Sequence, residues 1–433
     1  MAFPFVVIYL FFVLVRPHEW VFIDAGDSQI IQYCLLMAIA AFVPQQEKNF
    51  SAPPFSLMIA LFMSIVLSLV FISWFSGAIT FGTQFLSTAF IPFMLLSAAT
   101  DTTRKQYVIF VLMVIALLIM VHNGHYQVIS EDNRGWVGNT AIDTPDGKRI
   151  RYVGVMSDPN DMGMFFVMML PVIFLLKERT AAVLRWVWWL VLGADLYGIY
   201  HTNSRGTLLS TILLLGIWYL RRFGMRTSIV TGAIFTPAMA LVFARFRAID
   251  SEEESAAQRI DAWYAGYEMF RSSPLFGVGA HQFVDHHMRT AHNSYILVFA
   301  ELGLFGGSVW TALIVATLLI LWNIAHTTFL PLKDWELNEV QEQRIAEEKR
   351  LAVCLLYSFV GFLATAFFLS RAYIPLLYIF IALTCACYMR VMKIFPKKAK
   401  VQVIDMQMLA KLSGAAVVAT LVGIYLIIVL ADN

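Results

Sequence analysis

Apolar runs of roughly 17–22 residues recur along this chain, and each is long enough to cross about 30 Å of hydrocarbon as a helix. In lipid every backbone polar group must be satisfied inside its own segment, so runs of this length fold as helices. The short alternating strands of a membrane β-barrel are not found. With 433 residues, 59% hydrophobic and 14% charged, the chain is read as an all-α polytopic membrane protein. Candidate spans are 3–15, 28–44, 55–75, 81–100, 107–121, 159–176, 183–201, 206–220, 227–244, 294–324, 351–370, 373–391 and 412–430. That makes thirteen, or twelve if the short first run inserts only partly. No basic segment precedes that first run, so it is read as a helix and not as a cleaved signal. Cys34, Cys354, Cys385 and Cys387 all fall inside apolar runs and read as buried small hydrophobes, without metal or disulfide spacing.

The organisation follows from these runs. Residues 1–121 hold the N-terminal helices, 122–158 a first outer loop, and 159–244 the central helices. A large outer loop covers 245–293. Residues 294–433 hold the C-terminal helices with a charged cytoplasmic connection at 326–350. The sign of the loops comes from lysine and arginine. A cytoplasmic N-terminus leaves 19 of the 31 basic residues inside. The 12 outside are 11 arginines and Lys148, whereas the inside set is 10 lysines and 9 arginines. A planar guanidinium holds phosphate or carboxylate in a two-pronged grip that an ammonium cannot reproduce, so the outer bias points to an anion site. The bland alternative is a general preference for arginine at that surface.

The polar loop at 245–293 carries Arg245, Arg247, Arg259, Arg271 and Arg289, no lysine, and four of the nine histidines. Within it, residues 251–270 read as an amphipathic helix: Glu252, Glu253 and Glu254 suit its positive end, and Ile260, Trp263, Tyr264, Tyr267 and Phe270 recur at helical spacing. Arg259 lies near its middle. Gly277-Val278-Gly279 is too short a motif to indicate a nucleotide site. His292 stands at the entrance to the next helix, where an imidazole can accept a proton near neutral pH. A capping histidine is the plain alternative. A metal held by His281, Asp285, His286, His287 and His292 fits no standard spacing.

Two other outer segments carry chemistry. Arg205 begins a helix near hydrocarbon depth, where a lone charge is costly unless paired or snorkelling to headgroups. Asp158 precedes Pro159, a pattern for an N-cap followed by a first-turn proline. Arg151 lies just before that helix start, where an anion would meet both a cation and a positive helix end. Arg247, Arg271, Arg289 and Glu301 complete the candidate substrate contacts.

Several of these segments carry a family likeness. Arg259 through Trp263, Ser273-Pro274-Leu275-Phe276-Gly277-Val278-Gly279, Ala291-His292-Asn293-Ser294-Tyr295 and Glu301-Leu302-Gly303 together resemble the shared domain of O-antigen ligases and related polymerases. Asn203-Ser204-Arg205-Gly206 and Asp158-Pro159-Asn160 look like two further motifs of that family. The likeness covers roughly 150–310. It is nearest to the O-glycosylation ligases associated with exosortase systems, an impression to which Arg16-Pro17-His18-Glu19-Trp20 adds. The resemblance implies a metal-independent, inverting glycosyltransferase of the GT-C type that needs no cofactor. Such an enzyme moves a glycan from undecaprenyl diphosphate to a glycan, lipid or protein acceptor at the periplasmic face of the bacterial inner membrane. It makes His292 the general base and gives Arg151, Arg205 and Arg259 to the diphosphate. A polymerase using the same donor twice is one alternative. A transporter or flippase for an anionic lipid is another, for which Asp195 in mid-span is the main support.

Overall fold

The computed structural model describes residues 2–23, 29–45, 48–145, 147–227, 251–328, 337–395 and 401–431. Helices α1 (Phe3–Leu14), α2 (Ile30–Phe42) and α3 (Pro54–Phe71) open the chain. They are followed by α4 (Phe75–Ala99), α5 (Thr103–Ile129), α6 (Pro159–Arg179), α7 (Val187–His201) and α8 (Arg205–Phe223). The remainder is α9 (Ser251–Ser272), α10 (Ser294–His326), α11 (Glu339–Ala366), α12 (Pro375–Ile394) and α13 (Met406–Ala431). A two-stranded antiparallel hairpin, β1 (Ile142–Thr144) and β2 (Gly147–Arg149), interrupts the helices.

Among the described residues, nine helices are long and apolar enough to cross a membrane. The thirteen candidate runs therefore sort differently from expectation. Runs 3–15 and 28–44 become helices of 12 and 13 residues, too short to span unaided at 1.5 Å per residue. Run 206–220 becomes α8, which has Arg205 at one end and Arg221 and Arg222 at the other. Run 227–244, like Arg245 and Arg247, lies outside the described residues. The charged 339–350 segment is not separate from its span but forms the first turns of α11.

Most of α6 and α12 is buried, so these two form the centre, while α7 and α13 expose most of their surface. Ser358 of α11 donates to the Met168 carbonyl of α6 at 2.7 Å, closing one central seam. At the end of the bundle away from the loops, Arg390 is fully buried and satisfied. It reaches Glu348 at 2.6 and 2.8 Å, Gln106 at 2.6 Å and the Thr100 carbonyl at 2.9 Å. A buried cation is tolerable only when paired this completely, and removing one partner would strand the other charge.

The opposite end gathers the loops, and its order comes from side-chain staples. Asn123 and Gln127 of α5 donate to Asn139, which donates in turn to the Arg151 and Tyr152 carbonyls. The Arg16–Trp20 stretch, noted earlier only for its family look, has a structural job. Trp20 Nε1 donates to the Tyr152 hydroxyl at 2.9 Å, and that hydroxyl donates to the Val15 carbonyl at 2.7 Å. The first outer loop is thus pinned on both sides before it delivers residues 149–158.

A kink in α10 docks the second loop. Gly303 has φ 62° inside the helix, and Gly277 opposite it has φ 73°. A Cβ on either would run into the other strand's backbone. Only glycines permit this approach, which lets Leu304 and Phe305 N–H donate to the Pro274 and Leu275 carbonyls. The Gly277–Gly279 turn is therefore a docking element.

Candidate functional site

Three helices begin at the loop face with side-chain caps. Asp158 accepts from the Asn160 N–H at 2.7 Å to start α6, as Asp-Pro predicted. Ser204 accepts from the Thr207 N–H at 3.3 Å to start α8. Asn293 accepts from the Tyr295 and Ile296 N–H groups at 2.9 and 3.1 Å to start α10. Their positive ends favour anions at this face. The residue just before two of these caps is left-handed: Asn203 at φ 47° and His292 at φ 48°. A side chain held there costs about 1–3 kcal/mol, and Asn and His are among the residues that tolerate it best.

A first cavity, of about 270 Å³, opens at the start of α8. Asn203 to Thr207 form one wall. Arg149 and Asn160 form a second, Arg259 of α9 a third, and the end of α11 with the turn after it adds Thr365, Phe368 and Leu369. Among the described residues three guanidinium groups line it and no carboxylate does. Arg149 Nε donates to the Thr202 carbonyl at 3.1 Å and Nη2 to Asn160 at 3.0 Å. Burial lowers the proton affinity of Arg149, Asp158 opposes that, and the Arg259 charge lowers it further. Cations held together against mutual repulsion gain most from an incoming anion.

An apolar cleft of about 430 Å³ adjoins it. Leu209 and Leu213 stand one and two turns below Arg205 on α8 and face Tyr295, Leu363, Ala364 and Phe367. Phe368 lines both spaces.

A second cavity, also about 430 Å³, lies among Val155, Ser157, Asp161, His281, Thr290, Glu301, Arg371 and Tyr373. Arg371 donates to the Asp161 carboxylate and comes within 3.9 Å of Asp158. Burial acts to lower its proton affinity, but the Asp161 bond and the Asp161 and Asp158 charges outweigh that and leave it raised. The Arg371 N–H donates to Ser294 Oγ at 2.8 Å, and that hydroxyl donates to the Leu369 carbonyl. Glu301, 2% exposed, accepts from the Phe283 N–H at 3.2 Å and from the Tyr373 hydroxyl at 2.9 Å. It ties the second loop to the α11–α12 turn while lining this cavity.

The two cavities share a partition. Asn160 lines the first and Asp161 the second; Leu369 lines the first and Arg371 the second. His292 lines neither cavity; it is half-buried and feels the charges of Arg259 from the first and Arg371 from the second. Burial lowers its pKa from the usual value, and Arg259, Arg371 and Arg289 lower it further, in that order, against Asp158. The imidazole is therefore held neutral, the form that can accept a proton.

The sequence-predicted residues divide as follows. Arg205 and Arg259 meet in the first cavity, and His292 feels the Arg259 charge most among its neighbours. Arg151 lines neither cavity; its Nε donates to the Thr140 carbonyl at 2.6 Å, and Arg149 stands in the position expected of it. Arg271 is exposed and pairs with Glu268 at 3.2 Å. Arg289 is exposed and acts on His292 through its charge. His287 is held by Asp261 at 3.0 Å, and that hydrogen bond raises its pKa. The His281 ring stacks on Phe81 and packs against Tyr373. Among the described residues no three metal-ligating side chains converge. Arg149, Asp161 and Arg371 were missed. Arg371 did leave a signal, being the only charged residue in 351–389, a pattern that itself marks a candidate.

Taken together, these features define a polytopic helical membrane protein with an arginine-lined cavity at one face. Residues 187–311 match the family model described as O-Antigen ligase. Over that stretch, under a third of the chain, the protein is similar to O-antigen ligases. The match contains Arg205, Arg259, His292 and Glu301 but stops short of Arg149, Asp161 and Arg371. No curated protein matches the chain.

Proposed function

We propose that the protein is a ligase that transfers a glycan from undecaprenyl diphosphate to an acceptor hydroxyl, without a metal, at the periplasmic face of the bacterial inner membrane. The observation that carries this reading is that the three-arginine cavity and the apolar cleft lie side by side, with Phe368 lining both. An amphiphile with a doubly phosphorylated head and an isoprenoid tail fits both halves. Arg149, Arg205 and Arg259 hold the diphosphate, and the α8 start adds backbone N–H groups. Leu209, Leu213 and Phe367 take the first isoprene units.

Neutral His292 then takes the acceptor hydroxyl proton as that oxygen attacks the anomeric carbon. A new carbon–oxygen bond forms while the bond from that carbon to the diphosphate oxygen breaks. The electron pair leaves with undecaprenyl diphosphate, whose growing charge the arginines stabilise. His292 returns its proton to solvent. Attack from the face opposite the leaving group inverts the anomeric centre.

The test uses the full chain in nanodiscs. His292→Ala should lower transfer by about 10²–10⁴-fold, the usual contribution of a general base, while undecaprenyl diphosphate still binds. Transfer near the wild-type rate would contradict the base assignment. Arg259→Lys should also fail, because a point charge does not replace a planar fork; normal donor affinity in that variant would count against the diphosphate grip.

A further inference from the structure

The second outer loop does not stay clear of the spanning helices. After α9 it turns at Pro274-Leu275-Phe276 and runs between α3 and α10. On one side the Ala280 N–H donates to Ser68 Oγ of α3 at 3.1 Å, and the Phe276 ring stacks on Phe71 at 3.9 Å. On the other, the Pro274 and Leu275 carbonyls accept from the Leu304 and Phe305 N–H groups of α10 at 2.7 and 3.1 Å. The turn is therefore level with the last turn of α3 and with a part of α10 well past its Asn293 cap. That level belongs to the membrane. Residues 304–326 of α10 hold no acid, lysine or arginine. At about 1.5 Å per residue they rise about 34 Å, close to the roughly 30 Å of a hydrocarbon core. The α3–α4 connection agrees, since no acidic or basic residue lies between Lys48 and Asp101 to draw it into water.

The tip is apolar and open. Leu275 is 62% exposed, and so, to a lesser or similar degree, are Phe71 and Phe75 at the α3–α4 turn and Leu304 and Phe305 on α10. This patch is continuous with the outer faces of spanning helices, which are covered by lipid. Irregular backbone survives at that depth only if its polar groups are satisfied by protein, and here they are. Pro274 brings no N–H, and its carbonyl and that of Leu275 are bonded to α10. The Gly277 N–H donates to the Ser273 carbonyl at 2.9 Å, and Ser273 Oγ donates to the Gly277 carbonyl at 2.8 Å. We infer that Pro274-Leu275-Phe276 is a membrane-inserted tip, seated among the phospholipid acyl chains of the leaflet at the loop face. It holds the loop that carries Arg259 and His292 against the bilayer. The partner is the lipid itself, and the inference does not depend on the transfer chemistry.

The test is nitroxide accessibility on the full chain in nanodiscs of phosphatidylethanolamine and phosphatidylglycerol. All four cysteines are buried, so one added cysteine takes the label selectively. Labels are placed in Leu275→Cys, in Leu304→Cys at the same level on α10, and in Met288→Cys. Met288 lies in the same loop beyond the tip and is 96% exposed, which makes it the aqueous reference. Oxygen concentrates in hydrocarbon and a nickel chelate stays in water. At positions 275 and 304 oxygen should relax the label several-fold more than the chelate does, and at position 288 the order should reverse. Chelate-dominated relaxation at position 275 would put the tip in water and overturn the inference. Shielding from both reagents there would show that protein, a second copy or another chain, covers the patch, and would overturn it equally. Should the tip variant fail to fold, Leu304→Cys still decides: chelate access at that level places the whole turn outside the bilayer.

Discussion

The two cavities at the loop face are built from neighbouring residues of the same segments and differ in their charged lining. Among the described residues the first has three arginines and no acid, whereas the second has Asp161 bonded to Arg371 and Glu301 held by Phe283 N–H and Tyr373. Neighbouring residues supply both: Asn160 and Asp161 on one helix turn, Leu369 and Arg371 on one loop. A helix turn rotates successive side chains by about 100°, so adjacent residues of α6 reach different cavities. The lesson is that a transfer site need not be one basin. An arginine-lined cavity can stand beside one whose cation is already paired with acids.

The largest effect that would sharpen this contrast is expected at Arg149. Removing its fork in Arg149→Gln should weaken undecaprenyl diphosphate binding by about 10–100-fold, the worth of a charge-assisted pair at roughly 1.5–3 kcal/mol. Arg151→Gln should cost the donor little, because Arg151 points to the Thr140 carbonyl. Titration of both variants in nanodiscs with labelled lipid reads this directly. The reverse order of effects would return the diphosphate to the position expected from the sequence motif.

A smaller effect separates head from tail. Leu213→Trp fills the apolar cleft two turns below Arg205. It should weaken binding of the long lipid several-fold, since each displaced methylene forfeits about 0.8 kcal/mol. Inorganic pyrophosphate, which uses only the first cavity, should bind as before. Equal losses for both ligands would mean that the cleft and the arginine cavity are not one site.

Much of this was legible in the sequence, and the failures have physical causes. The α6 start followed from Asp158-Pro159, and α9 followed from its aromatic spacing, because caps and periodicity are local. Arg149 against Arg151 was not legible, since it depends on where β2 ends and on Asn139 holding the Arg151 carbonyl from a distant turn. Arg371 escaped because hydropathy treats it as a mark of loop and span boundary; its partner Asp161 is 210 residues earlier. The second cavity had no motif at all. It exists only because the Gly277–Gly303 contact folds the second loop back over α10, a pairing that no single stretch announces.

The subtlest consequence concerns proton affinity at the partition. His292 is lowered by burial first, then by Arg259, Arg371 and Arg289, so its neutral form extends to lower pH than that of a free histidine. A base of this kind works above its pKa, and the rate falls as pH drops through that value. Removing a cation lets the imidazolium form more easily, so it must move the acid limb of the pH–rate profile to higher pH. Arg259 and Arg371 also line the cavities, and changing them would confuse charge with binding. Arg289 lines neither cavity and is exposed, so Arg289→Gln should fold normally, keep its rate at high pH, and shift the acid limb upward by a small amount. Arg289→Lys, which keeps the charge, should leave the limb where it was. An acid limb that moves downward in Arg289→Gln, or moves equally in both variants, would show that the working imidazole is not the one held between these arginines.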